Sequence, residues 1–245
     1  MYGVYRLAEH NIGIDSVYEQ VQGFCKEYAT EAEADLVIRT TPDMVKEEAD
    51  YQEKSAARLG LYRPDRSLEY AETYMIYRLI ADELCMEDWA VLHGSTVAID
   101  GVGYIFTAKS GTGKSTHASL WRQVFGQRMT MINDDKPIIH FGEDAIEAYG
   151  SPWCGKHGRN TDTHVPVRAI CILERGTDNH IKEIDFTEAY PMLIQQIHKP
   201  QDKEKMRHLL MLLDRLKGRV RFYRLSCNME PEAALCAYEG MAEKR

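Results

Sequence analysis

An α/β protein with a mixed sheet wrapped by helices, carrying a smaller α+β region at its amino terminus, is the fold the sequence predicts. Three observations support it. From about residue 67 onward, short apolar runs alternate with amphipathic helical runs. A strand, a glycine-rich loop and a helix follow one another through FTAKSGTGKSTHASLW, residues 106–121. The first 66 residues mix short alternating stretches with one long charged helical run. The 245 residues suit one large domain with a smaller lobe, so the expected division is 1–66 for the lobe, packed on a core formed by 67–245.

In chain order, ADLVIRT (34–40) reads as a strand and PDMVKEEADYQEKSAARL (42–59) as a polar helix. From Ser67, Leu68, Ala71, Met75 and Leu79 recur near helical spacing, with Ser67 placed to cap. In AVLHGSTVAIDGVGYIFTA (90–108), two apolar runs flank Asp100-Gly101, a hairpin signal. After the glycine loop, His117, Leu120, Trp121, Val124 and Phe125 share one helical face, and Gly126 can close that helix. MTMIN (129–133) is a strand running into Asp134 and Asp135, and KPIIHF (136–141) and VPVRAICILERG (165–176) are further strands. Between them, YGSPWCGKHGRNTDTH (149–164) is too rich in Gly, Lys, His and Arg to be packing alone. The last third predicts a helix over 203–218, a strand over 220–227 and a final helix opened by Asn228 with Pro231 in its first turn.

Composition excludes several classes. The net charge of −8, from 30 Lys+Arg against 38 Asp+Glu, argues against a broad nucleic-acid or anionic-membrane footprint. No apolar run is long enough to cross a bilayer, and Met1 to His10 lacks a signal-peptide pattern, so a cytoplasmic protein is expected. The six cysteines have no metal-ligand spacing and read as reduced thiols; only Cys154 sits in a segment with functional character.

Residues 108–115 fit the phosphate-loop pattern G-x-x-x-x-G-K-[ST], except that Ala108 stands where the first glycine belongs. Gly111 and Gly113 let backbone N–H groups converge on phosphate oxygens, Lys114 reaches toward the β/γ-phosphates, and the Ser115 hydroxyl can bind Mg²⁺. Ala108 strains the turn only if that position needs a positive φ. The alternative is a glycine-rich turn without a nucleotide. Asp134 and Asp135, at the end of the strand after the loop helix, are where an acidic partner for Mg–nucleotide is expected; one acid serves the metal and the second can take the proton of an attacking hydroxyl. A surface capping pair is the alternative. A lone histidine such as His93 is as often structural as functional.

LHGSTVAIDGVGYIFTAKSGTGKSTHASLW followed by INDDKPII resembles the catalytic core of the HPr kinase/phosphorylase superfamily, over about residues 88–176. The resemblance implies the mixed-sheet phosphate-loop fold that those kinases share with the ATP-dependent phosphoenolpyruvate carboxykinases. It is closer to the shorter HPr-kinase-like proteins, in which a GSPWCGKHG-type segment follows the Asp pair. The resemblance implies ATP and Mg²⁺, held by Ser110, Gly111, Thr112, Gly113, Lys114, Ser115 and Thr116, with Ser115 and Asp134 on the metal. It also implies Asp135 as the base and His93 facing the transferred phosphate. Two departures stand out: Thr116 occupies a position where those kinases carry an acid, and Pro166 replaces a glutamate. Both weigh against a second metal contact and against phosphorylase activity.

Lys156, His157 and Arg159, on a Gly-flanked loop, are candidates for a closing arm over the γ-phosphate or an anionic acceptor, and Arg168 for a strand-end contact to the same phosphates. The expected activity is transfer of the γ-phosphate of Mg–ATP to a hydroxyl of a small molecule or peptide. The expected assembly is a possible homo-oligomer, with no nucleic-acid or membrane partner. Alternatives are a nucleotide-binding regulatory module or slow ATPase, a protein-serine kinase acting on an HPr-like carrier, and a carboxykinase.

Overall fold

Alternating apolar residues shape the first element, an antiparallel hairpin of β1 (Tyr2–Leu7) and β2 (His10–Asp15) that buries Tyr5, Leu7, Ile12 and Ile14. A short helix α1 (Gln20–Phe24) follows, and β3 (Leu36–Arg39) pairs parallel to β2. Two long helices complete this region, α2 (Pro42–Leu59) and α3 (Leu68–Leu84), with Ser67 Oγ accepting the Tyr70 amide as the N-cap. The computed structural model describes residues 1–59, 67–155 and 158–242. The chain divides into two compact units, Met1–Glu83 and Leu84–Arg245.

That division corrects the expected boundary at 66/67, because α3 is bound into the first unit. The Glu72 carboxylate, fully buried, accepts the Val17 and Tyr18 amides at 2.7 and 2.9 Å and the Thr40 hydroxyl. Arg78 donates to Glu48 at 2.9 Å, and Ala71 and Met75 pack with Val45. A buried carboxylate needs such partners, and these all come from residues 1–59.

The second unit is built on a nine-stranded mixed sheet. Its strands are β4 (Trp89–Val91), β5 (Ser95–Ile99), β6 (Val102–Thr107), β7 (Met129–Asn133), β8 (Ile138–Phe141), β9 (Ile146–Tyr149), β10 (His164–Arg175), β11 (His180–Ile184) and β12 (Arg221–Cys227). The order is β4-β8-β9-β10-β6-β5-β7, with β12 beside β10 and β11 beside β12. The helices are α4 (Lys114–Phe125), α5 (Phe186–Gln196), α6 (Lys203–Asp214) and α7 (Glu232–Met241).

The long strand β10 shows why the sheet is covered on both faces. Ile170 and Ile172 join Leu193 of α5 and Leu209, Leu212 and Leu213 of α6 in one cluster. Ala169, Cys171 and Leu173 join Ala118 and Trp121 of α4 and Ala233, Ala234 and Ala237 of α7 in the other. Successive residues alternate between the two clusters, as a doubly covered strand requires.

The β5–β6 hairpin turns at Asp100 and Gly101, both with positive φ (51° and 80°), as the Asp-Gly signal predicts. The run before it forms two strands: β4 pairs β8, β5 pairs β6 and β7, and the chain breaks at Leu92–Gly94. At Gly94 a Cβ would come within 2.9 Å of the Phe106 carbonyl, so only glycine permits that crossing. The last helix begins at Glu232, with Asn228 Oδ1 accepting the Glu230 amide in the turn before it instead of capping the helix directly.

Candidate functional site

Strand direction decides where the chemistry collects. β10 runs parallel to β6 and β12 parallel to β10; β7 is antiparallel to β5, which is itself antiparallel to β6. The carboxyl ends of β6, β7, β10 and β12 and the amino end of β5 therefore share one edge. Ligands in such sheets bind beyond the carboxyl ends of the strands. Here that edge carries the glycine loop after Thr107, the Asn133-Asp134-Asp135 turn, Arg175, Cys227, and His93 to Ser95.

In the glycine loop, Gly111 and Gly113 hold φ of 78° and 124°, where any side chain would be strained. Ala108 does not have a positive φ, is fully buried, and its carbonyl accepts the Lys114 ammonium at 3.2 Å. The missing first glycine is thus tolerated. Lys114 is the first residue of α4 and is 8% exposed. Burial lowers its ammonium below the usual lysine range, opposed first by Asp135. Thr112, Gly113 and Ser115 are half-buried, while Ser110, Gly111 and Thr116 are exposed, so the loop presents its surface outward at the start of a helix.

Asp135 lies across this edge. Its Oδ1 receives both His93 Nε2 and Lys136 Nζ, each at 3.1 Å. Burial alone would raise the carboxyl; the His93 hydrogen bond and the Lys136 charge outweigh it and hold Asp135 at about 2. Burial also lowers His93, against its bond to Asp135 and reinforced by the charges of Lys136 and Lys114. The neutral imidazole therefore donates from Nε2 to an ionised carboxylate. His93 is fixed through its backbone: its N–H donates to the Gln196 carbonyl at 2.8 Å, and its carbonyl accepts the Thr107 hydroxyl at 3.0 Å.

Asp134 is 2% exposed, and the Ser95 hydroxyl donates to its Oδ1 at 2.9 Å. Asn133 shapes the turn: its Oδ1 accepts the Asp135 and Lys136 amides at 2.8 and 2.6 Å, and its Nδ2 donates to Ser151 O and Oγ, both at 3.0 Å. The Arg159 carbonyl accepts the Asp134 amide at 3.1 Å, while its guanidinium donates to Ser119 Oγ at 2.8 Å on α4. The segment that carries Arg159 is thereby tied to both the Asp turn and the loop helix. Lys156 and His157 lie outside the described residues.

Arg168 is not at this edge. It lies in β10 between Val167 and Ala169, which pair with Gly103 and Tyr104 near the start of β6. The loop begins some four residues further along β6, roughly 13 Å away at strand rise. The arginine that reaches the loop is Arg175, at the carboxyl end of the same strand, whose guanidinium donates to the Gly111 and Thr112 carbonyls. Sequence reasoning missed Arg175, Lys136 and Asn133. Each carried a signal: a basic residue at a strand's carboxyl end, a lysine directly after the Asp pair, and an Asn opening an Asx-type turn.

Among the described residues, no group of three or more His, Cys, Asp or Glu side chains makes a self-contained metal centre. The oxygen donors of Ser115 and Asp134 beside the loop suit a cation such as Mg²⁺, which takes one or two protein oxygens and completes its shell with phosphates and water. No helix among the described residues is long and apolar enough to cross a membrane.

No family model matches the sequence, and no curated protein matches it. Among solved structures, the Hpr(Ser) kinase/phosphatase from Coxiella burnetii is similar over 59% of this chain and 89% of that chain, at 8% identity and a TM-score of 0.33. A likeness at that level says nothing about activity.

Proposed function

We propose that the protein is a Mg–ATP-dependent kinase that transfers the γ-phosphate to a hydroxyl of a small molecule or peptide. One observation carries the reading: Lys114 of the glycine loop and the Asp134-Asp135-His93 cluster stand at one sheet edge. A phosphate cradle alone needs only the loop; a paired, ionised carboxylate across from it is what phosphoryl transfer adds.

The loop amides and the Lys114 ammonium bind and orient the phosphates. Mg²⁺, held by Ser115 and Asp134, supplies charge neutralisation on the phosphate oxygens when bound. Ser95 fixes Asp134 through its Oδ1. Among the described residues, both donors to the Asp135 carboxylate fall on Oδ1, which leaves Oδ2 to meet an acceptor hydroxyl. The bond from the γ-phosphorus to the departing ADP oxygen breaks, the bond to the acceptor oxygen forms, and the hydroxyl proton passes to Asp135. A carboxylate held at about 2 is a weak base but is always ionised. That is sufficient where the transition state is loose and the proton moves late.

The weakness of that base also favours a second reading, a nucleotide-binding regulatory module or slow ATPase in which the cluster only positions the nucleotide. The test is incubation of the protein with Mg²⁺ and γ-labelled ATP plus small-molecule and protein fractions of a cell extract. Label on a metabolite or peptide is expected, and Asp135→Asn should abolish it while Mg–ATP binding stays within a few-fold. Label in free phosphate alone, or an Asp135→Asn variant that transfers at the wild-type rate, defeats the kinase assignment.

A further inference from the structure

Among the described residues, the two sheets end in β1 and β3 for the three-stranded one and in β4, β7 and β11 for the nine-stranded one. The outer side of an end strand carries backbone groups that can pair with another strand. The chain itself covers three of these edges. Thr30 donates its amide to the Val4 carbonyl beside β1 at 3.0 Å, His198 to the Val91 carbonyl beside β4 at 2.8 Å, and Thr161 to the Ile132 carbonyl beside β7 at 3.1 Å. On β11, His180, Lys182 and Glu183 are exposed, and charged residues of that kind discourage pairing. β3 has neither protection. Among the described residues no backbone hydrogen bond or bridge lies beyond it, and Leu36-Val37-Ile38-Arg39 holds no lysine, proline or glycine. Ile38 is buried and Leu36 half-buried, whereas Asp35, Val37 and Arg39 alternate with them and are exposed.

We propose that the β3 edge pairs with the same edge of a second copy of this chain, antiparallel about a two-fold axis at Val37, so that two three-stranded sheets join into one of six strands. β3 belongs to the first unit, and the glycine loop and the Asp pair to the second, so the pairing stands or falls independently of the kinase reading.

Charge complementarity of the edge with itself selects both the occupant and the register. Because directly opposed residues alternate between hydrogen-bonded and non-hydrogen-bonded pairs, a symmetric antiparallel pair must set one residue against its own counterpart. Centred on Leu36, the pair would oppose Asp35 to Val37; centred on Ile38, it would oppose Val37 to Arg39. Centred on Val37, it sets Asp35 against Arg39 of the second copy, twice by symmetry. The same register sets Leu36 against Ile38 on the buried face and Val37 against Val37 on the exposed face. Opposite charges and β-branched residues are the cross-strand pairs that favour a sheet. Both charged groups have capacity for the contact. Asp35 accepts the Asn11 amide on Oδ2 at 2.8 Å, which leaves Oδ1 for a guanidinium. Arg39 approaches Asp15 at 4.0 Å, and its side chain is 76% exposed. Stable interfaces bury roughly 1,200–2,000 Å², and two strands this short bury less, so the dimer should be reversible and dependent on concentration.

The experiment is sedimentation velocity of the full chain from about 5 to about 500 μM, where the average mass should rise from one chain toward two. Val37→Lys, which opposes two ammonium groups on the axis, should weaken the dimer at least about tenfold. Asp35→Lys and Arg39→Glu should each weaken it about fivefold or more, and the two together should return it to within about threefold of the wild type. Far-UV circular dichroism checks that the variants remain folded. A second measurement is independent of affinity. Val37→Cys brings two thiols within about 5 Å across the axis, so the oxidant diamide should link two chains on a non-reducing gel, while Met211→Cys, 57% exposed in the second unit, should give no such product. A mass of one chain at every concentration, a dimer that Val37→Lys leaves intact, a double charge reversal no better than the single ones, or Val37→Cys chains that do not link would overturn the proposal.

Discussion

Asn133→Ala isolates the turn that aims the Asp pair. The Asn133 side chain is fully buried and makes four hydrogen bonds, two from the Asp135 and Lys136 amides and two to Ser151. Alanine removes the acceptor and leaves two partly buried amides without one. At about 1–3 kcal/mol for each orphaned group, and toward the low end because the site is not fully closed, the cost is about 2–4 kcal/mol. With a urea dependence near ~2 kcal/mol per molar, the unfolding midpoint should fall by ~1–2 M. The three tryptophans, Trp89, Trp121 and Trp153, all lie in the second unit, so fluorescence excited selectively at tryptophan follows that unit alone. Ser151→Ala, which loses the contacts of one hydroxyl to Asn133 and the Lys136 carbonyl, should cost only about 1 kcal/mol. If Asn133→Ala unfolds at the wild-type midpoint, the turn is not held by this side chain and the account of Asp135 positioning fails.

Arg175→Ala should weaken Mg–ATP binding about tenfold in calorimetry, because the guanidinium braces the Gly111 and Thr112 carbonyls, while Arg168→Ala should leave it unchanged; the opposite pattern would restore Arg168 to the site. Gly113→Ala meets open space but forces a side chain to φ 124°, so it should cost about 1–3 kcal/mol and lower nucleotide affinity at least tenfold; a variant that binds like the wild type would mean the loop does not need this conformation. His117 is 2% exposed, and burial pushes its imidazole down to about 4 from 6.5. The unfolded chain therefore binds the extra proton between those values, and stability should decline as pH falls from about 6.5 to 4, by about 3 kcal/mol in total from this group. Burial lowers His93 too, which acts in the same direction. His117→Gln should flatten the fluorescence-monitored slope across that window, and an unchanged slope would show that His117 is not its source.

Much of this architecture could be read from residue order because local signals there agree with tertiary packing. The Asp-Gly hairpin, the Ser67 cap, the α4 face and the strands into Asp134 and through Ala169–Leu173 all stand as their patterns predict. What failed was information that sequence does not hold locally. α3 has an apolar stripe that would suit either unit; the long-range bonds of Glu72 and Arg78 and the packing of Ala71 and Met75 on Val45 assign it to the first. The division at Leu92–Gly94 goes with a change of pairing partner, β8 for one half and β6 with β7 for the other, and pairing partners are not written in either half alone.

The misplaced arginine makes the same point about the site. Both Arg168 and Arg175 lie on one strand, and composition cannot choose between them. The direction of that strand relative to β6 does choose, because parallel neighbours bring their carboxyl ends to the same edge. Once β10 is known to be parallel to the loop strand, the residue at its carboxyl end must face the loop and the one near its start must not. The same rule puts β7 and its Asp pair on that edge, although β5 intervenes, since two antiparallel steps restore the direction. A functional edge in a mixed sheet is therefore a property of pairing parity, and a sequence shows its members only as scattered polar residues at the ends of apolar runs.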